Sequence, residues 1–259
     1  MINPSEFIHP EDAAALRTLE SIPGFPALVK KFLQIGLEQM QYGINMASTI
    51  RLSPTQLPHL YNHLPPICKK LGIAEPEFYL EMNPMPNAWT FGDTKIYITI
   101  TSGLVELLND EELDAVIAHE CGHILCKHSF YTTLMHTMES MGHLFKLISK
   151  TLTLPIYLAM TYWSRQSELS ADRCAAVVVG NECYQGVLVK LASGRKGKVG
   201  HTNTLIEQGR EYEAHKRASW WNRLQQEVRC AANTHPDLCV RAMELDRWCH
   251  SVRYEELKG

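Results

Sequence analysis

His119-Glu120-Cys121-Gly122-His123 holds the residues of this chain whose types and spacing most directly imply chemistry. On an α-helix, residues four apart project from one face, about 40° apart around the axis, so two imidazoles can reach one metal ion. That is a zinc hydrolase arrangement. Glu120, too constrained to ligate, would act as general base toward the attacking water and then return the proton to the leaving amine. Two histidines leave zinc short of a third protein ligand, and a catalytic site also keeps one position open. Glu168-Leu169-Ser170-Ala171-Asp172 supplies a candidate: both carboxylates face one way on a helix, and Glu168 reads as the third ligand. Asp172 is then placed to accept the remaining ring N–H of a ligand histidine, His119 first, fixing its tautomer and raising its basicity. His128 falls about 180° around the helix from His119. It also misses the HExxHxxGxxH spacing, and reads as a packing or solvent-facing residue.

These side chains need elements to hold them. Asn109-Asp110-Glu111-Glu112 carries an N-cap residue, acids for the positive helix end and a Glu at the capping-box position, so a helix should start there. Leu113, Val116, Ile117 and Ile124 share one stripe of that helix, with the ligands at its border. Around Glu168, Ala171 and Ala175 are small enough for the second helix to approach the first closely. Residues 77–101 are rich in β-formers and should hold a small sheet. Ser21 to Pro26 separates a short first helix from a long amphipathic one over residues 27–50. Gly194 to Gly200 reads as a basic loop, connecting or covering the cleft, and two helices follow over 205–232 and 236–250. The composition suits one α+β domain dominated by helices over 1–259, with an N-terminal helical segment (1–66) before a catalytic core (67–259).

HExxH followed by ExxxD is the gluzincin arrangement, and further segments narrow it. Asn87-Ala88-Trp89-Thr90 stands ahead of a strand at Ile96-Tyr97-Ile98. Thr101-Ser102-Gly103-Leu104 leads to the HExxH helix, and Thr234-His235-Pro236 with Arg241 comes later. From about His9 to Trp248 the chain resembles the HtpX-like and CAAX-prenyl-protease family of zinc metallopeptidases. The resemblance implies a zincin-like fold whose small sheet has an edge strand along the active-site cleft, and one catalytic zinc. It implies His235 as a second electrophile for the tetrahedral intermediate and Arg241 as an orienting or charge-balancing group. Asn87 and Ala88 would sit on the edge strand and hold an extended peptide by its backbone. The expected substrate is a peptide or an unfolded protein.

Well-known members of that family are multispanning membrane proteins, and this chain departs from them. Thr151 to Trp163 is uncharged but only thirteen residues long, against the roughly twenty that a spanning helix needs. The 27–50 segment carries too many polar residues, leaving a core-facing helix or one lying on a membrane surface. No secretory signal is visible, so a soluble cytoplasmic enzyme is the expectation. A net charge of -3 with interspersed signs gives no reason to invoke nucleic acid. The eight cysteines form no CxxC pair, and Cys121 and Cys126 read as small buried hydrophobes. Nothing in the sequence speaks to oligomeric state. Two functions compete with an active peptidase: a zinc-bearing interaction module without turnover, and a latent peptidase. Glu120 favours catalysis, since a structural site has no use for a base.

Overall fold

The computed structural model describes residues 2–258 except 26, 28, 31–35, 141–149, 198–200 and 232. Parts of the helix expected over 27–50 and of the loop expected over 194–200 lie outside the described residues. In chain order the elements are α1 (Pro10–Glu20), α2 (Leu37–Ser48), β1 (Ile50–Arg51), α3 (Pro58–Tyr61), α4 (Leu64–Leu71), β2 (Glu77–Glu81), β3 (Ala88–Phe91) and β4 (Tyr97–Thr101). Helices α5 (Ser102–Leu107), α6 (Asp110–Leu125), α7 (Ser129–Ser140), α8 (Lys150–Val179) and α9 (Asn181–Ser193) follow. The chain closes with α10 (Thr202–Ala218), α11 (Trp220–Cys230), α12 (Leu238–Cys249) and α13 (Val252–Leu257). This is an α+β fold dominated by helices.

The sheet has the order β1-β2-β4-β3, with β2 parallel to β4 and the other pairs antiparallel. Strand alternation divides its residues between two faces. Phe78, Ile98 and Ile100 join α4, α5 and α6 in the main core, while Tyr79, Phe91 and Tyr97 pack with Tyr42 of α2. Three of the four strands lie in the 77–101 region expected to hold the sheet. β3 is an edge strand, and its free side borders the cleft.

Helix α6 starts at the expected cap: Glu112 N donates to Asn109 Oδ1 (2.9 Å), and Asn109 N to Glu112 Oε2 (2.8 Å). Its burial is wider than a stripe. From Ala115 to His123 every residue is buried, because α4, α8, α9 and β3 surround the helix. Helix α8 crosses it at small residues. A Cβ on Gly122 would lie 2.8 Å from Cys174 Cβ and 3.2 Å from Ala171 Cα. Ala171 permits the approach as expected, and Gly122 is the residue on the facing helix that it needs.

Several boundaries differ from those read in the sequence. The helix expected over 27–50 is interrupted before Leu37, where Gly36 takes a left-handed conformation (φ 69°) that glycine adopts without strain. The helix expected over 205–232 is two helices, because Ser219 turns extended and its hydroxyl caps Asn222 N (3.0 Å). The next begins at Leu238 rather than Pro236. Among the described residues no helix is long and apolar enough to cross a membrane.

Gly122→Val is expected to destabilise the fold by about 1–3 kcal/mol, because neither neighbour can move away without parting the two helices. Gly186→Ala, within α9 where a Cβ would meet nothing within 4 Å, is expected to stabilise by up to about 1 kcal/mol. Urea unfolding measures both; a Gly122→Val protein as stable as wild type would contradict the close crossing.

Candidate metal centre

Helices α6 and α8 bring three donors to one point. His119 Nε2 and His123 Nε2 are 3.2 Å apart. Glu168 presents Oε1 at 3.2 Å from His123 Nε2 and Oε2 at 3.5 Å from His119 Nε2. Taking one ligand atom from each residue, the three donors lie within 4.8 Å of one another, close enough to share one metal ion. The chemistry of the set agrees: two imidazoles and one carboxylate, all buried, with no well-directed hydrogen bond to Glu168 Oε2. The site opens into a cleft of about 350 Å³ between β3 and α2, whose lining includes Glu120, His123, Glu168 and His235.

Behind the ligands, Asp172 Oδ1 lies 3.0 Å from His119 Nδ1. Tyr184 of α9 reaches the same place, with its hydroxyl 2.8 Å from His119 Nδ1 and 2.6 Å from Asp172 Oδ1. Arg241 of α12 closes the group: Nε donates to Asp172 Oδ2 (2.9 Å), Nη2 to Tyr184 Oη (2.9 Å), and Nη1 sits 3.2 Å from Glu168 Oε2. Two carboxylates are thus buried around one guanidinium. Burial alone would raise the Asp172 pKa, but Arg241 and His119 outweigh it and hold it at about 2. Glu168 is likewise held well below the usual carboxylate range against burial, by His235, Arg241 and the two histidines. Burial disfavours charge on His119, yet Asp172 and Glu168 push its pKa up to about 9 in the metal-free protein.

The remaining residues singled out in the sequence fall as follows. Glu120 is buried and accepts Thr90 Oγ1 (2.7 Å), a bond from the edge strand to the HExxH helix. His235 has a side chain 62% exposed, and its Nδ1 approaches Glu168 Oε2 at 3.0 Å. Asn87 O accepts from Thr101 N (3.0 Å), so by the alternation of an antiparallel ladder Ala88 and Thr90 direct their backbone groups to the free edge. Cys121 is buried, and its contact with Cys68, together with burial, raises its thiol pKa well above the ordinary value. Cys126 is half-buried. Arg195 and Lys196 are exposed, Lys196 pairs with Glu106 of α5 (3.4 Å), and neither lines the cleft.

His128 is a packing residue, not a solvent-facing one, and it lies on the side of the ligands instead of opposite them: it is fully buried, with Nδ1 3.0 Å from His123 Nδ1. Helical spacing does not reach it, because α6 stops at Leu125 and Lys127 turns the chain back at φ 60°. Tyr184 and Thr90 also reach the site; Thr90 lies within the Asn87–Thr90 motif, but nothing in the spacing of Tyr184 points there.

A family model described as "Peptidase family M48" matches residues 58–249, about three quarters of the chain. The chain belongs to peptidase family M48. A relative named "Plastoglobule-localized metallopeptidase 48, chloroplastic", from Arabidopsis thaliana, is 29% identical over 99% of this chain and 76% of its own length. A "Protease HtpX homolog" from Pelotomaculum thermopropionicum is 31% identical over 38% of this chain and 38% of its own length. Another, from Tropheryma whipplei strain Twist, is 38% identical over 30% and 28%. The chain therefore spans only about a third of those two HtpX homologs. Membership of M48 makes it a metallopeptidase, a metal-dependent hydrolase of peptide bonds.

Removing the shared cation should expose how much the two acids depend on it. Arg241→Met would leave Asp172 and Glu168 buried beside an apolar side chain and is expected to cost about 3–5 kcal/mol. Thermal unfolding of the metal-free variant against metal-free wild type measures this, and equal stabilities would contradict the charge balance described.

Proposed function

We propose that this M48 chain is a zinc endopeptidase acting on extended peptide segments, with His119, His123 and Glu168 as the metal ligands and Glu120 as the base. The observation that carries the reading is the meeting of those three donors within 4.8 Å of one another beside a cleft bordered by an edge strand. A bound zinc ion supplies Lewis acidity, lowering the pKa of water toward about 7 and polarising a carbonyl.

The chain's own groups do the rest. Glu120, oriented by Thr90, accepts the proton of the attacking water and delivers it to the leaving amine. His235, at the cleft mouth, offers an N–H to the oxygen that gains charge. Asp172 and Tyr184 hold His119 through Nδ1, which leaves Nε2 for the metal. Arg241 keeps Asp172 and Glu168 ionised. An extended peptide would add to β3, taking up the outward groups of Ala88 and Thr90. Asn87 Oδ1 now accepts the Ala88 N–H (3.0 Å) and would give way to it. Backbone recognition of this kind tolerates many sequences and suits unfolded proteins. The chain acts as one catalytic unit. A cytoplasmic setting, with at most peripheral membrane contact, belongs to the same proposal. Glu120 in an open cleft weighs against a structural zinc module, because a closed site needs a fourth protein ligand and no base.

Purified protein is expected to carry about one zinc ion per chain, to lose casein-degrading activity to a chelator and to regain it with zinc. Glu120→Gln should keep zinc while turnover collapses. His235→Phe should lower kcat by roughly 100- to 1,000-fold with a smaller effect on KM. Near-wild-type turnover by Glu120→Gln would show that this helix does not carry the reaction.

A further inference from the structure

Each imidazole of the metal centre uses Nε2 toward the ligand point, and each must therefore be oriented through Nδ1. For His119 the orienting carboxylate is Asp172, on the same helix as Glu168. For His123 no carboxylate stands next to Nδ1. Its neighbour there is a third imidazole, His128, whose Nδ1 lies 3.0 Å away. The far side of His128 meets Asp12 of α1: Nε2 is 3.0 Å from Asp12 Oδ2, off the ideal hydrogen-bond line but facing no other partner. Asp12 is itself fixed, because Trp163 Nε1 donates to Oδ1 (3.0 Å) and Ser170 Oγ to Oδ2 (2.6 Å). Ser170 Oγ also accepts His9 N at the start of α1 (2.9 Å), which fastens that helix to α8. His128, Asp12, Trp163 and Ser170 are all buried.

A metal on His123 Nε2 would fix the direction of the hydrogen bonds in this row. A neutral imidazole has one donor and one acceptor nitrogen. If His128 carries its proton on Nε2, it donates to the Asp12 carboxylate and its Nδ1 accepts from His123 Nδ1–H. His123 Nε2 is then the bare nitrogen that a metal requires. The reverse order would set a bare His128 Nε2 against a carboxylate and place a proton on the His123 nitrogen that faces the ligand point. Burial opposes ionisation of Asp12, but His128 and Ser170 outweigh it and keep its pKa below the ordinary value.

We infer that Asp12, on the N-terminal helix α1, is a positioning residue of the metal centre, acting through His128 to fix the tautomer and orientation of His123. The inference rests on the ligand assignment proposed above and extends it beyond the 58–249 region matched by the family. Helix α1 is then a working part of the site from behind, and no part of it lies in the cleft.

Zinc-loaded protein labelled with 15N in histidine tests this without any variant. Long-range proton–nitrogen NMR spectra at neutral pH are expected to show His123 protonated at Nδ1 and His128 at Nε2. His128 protonated at Nδ1, with a bare Nε2 toward Asp12, would overturn the inference. Zinc competition with a chromophoric chelator gives the second readout, with Asp12→Asn expected to weaken binding by roughly 10- to 100-fold. Because Asp12 acts through His128, adding Asp12→Asn to a His128→Phe protein should weaken zinc binding no further, whereas a merely structural Asp12 would give two additive losses. Unchanged zinc affinity in Asp12→Asn would also overturn it. Zinc retained by a His119→Ala, His123→Ala double variant would instead reject the ligand assignment itself, and the functional proposal with it.

Discussion

Two carboxylates one helical turn apart, Glu168 and Asp172, are buried at the centre of this molecule, and a buried charge persists only where something compensates it. Arg241 does so from α12, contacting both at once. The rest of the arrangement depends on that contact. It keeps both acids ionised, so that Glu168 can act as a ligand and Asp172 as the acceptor for His119. It also ties a late helix to the crossing of α6 and α8, where the ligands meet. The crossing has its own requirement. Gly122 lies inside the HExxH sequence, and the facing Ala171 lies inside ExxxD, so the proposed ligands and the residues that allow the helices to touch are interleaved.

This interleaving explains why so much of the centre was legible in the sequence. Helix spacing places His119 beside His123 and Glu168 beside Asp172 without reference to anything distant. The capping box at Asn109 fixes where the first helix starts, and β-formers mark where the sheet lies. What could not be read depended on chain reversals and on distant contacts. His128 was put on the wrong side because a helical wheel has no meaning beyond Leu125, where Lys127 redirects the chain. Ser219 split a helix because a single capping hydroxyl outweighed the propensity of its neighbours. Tyr184 and Asp12 belong to elements that reach the centre only through tertiary packing, and no local pattern distinguishes them from ordinary core residues.

The two sides of the centre divide the work. The cleft side, with β3, α2 and His235, is open to solvent and suits a peptide held by its backbone. The rear side is closed and consists of hydrogen-bonded acids, hydroxyls and rings that fix His119 and His123. Rigid support from behind and access in front is what a catalytic ion requires: the ligands must not reorient when substrate arrives. The N-terminal region contributes to both sides, α2 to the cleft wall and α1 to the rear support. Its role therefore goes beyond that of a leading segment.

X-ray absorption at the zinc edge of the zinc-loaded protein counts and identifies the ligand atoms. Ligation by His119, His123 and Glu168 gives a first shell of nitrogen and oxygen at about 2.0–2.2 Å with the scattering of two imidazoles and no sulfur. A sulfur shell at about 2.3 Å would contradict it by bringing a cysteine to the metal. A third imidazole in the first shell would contradict it by replacing Glu168 or closing the position that the substrate needs.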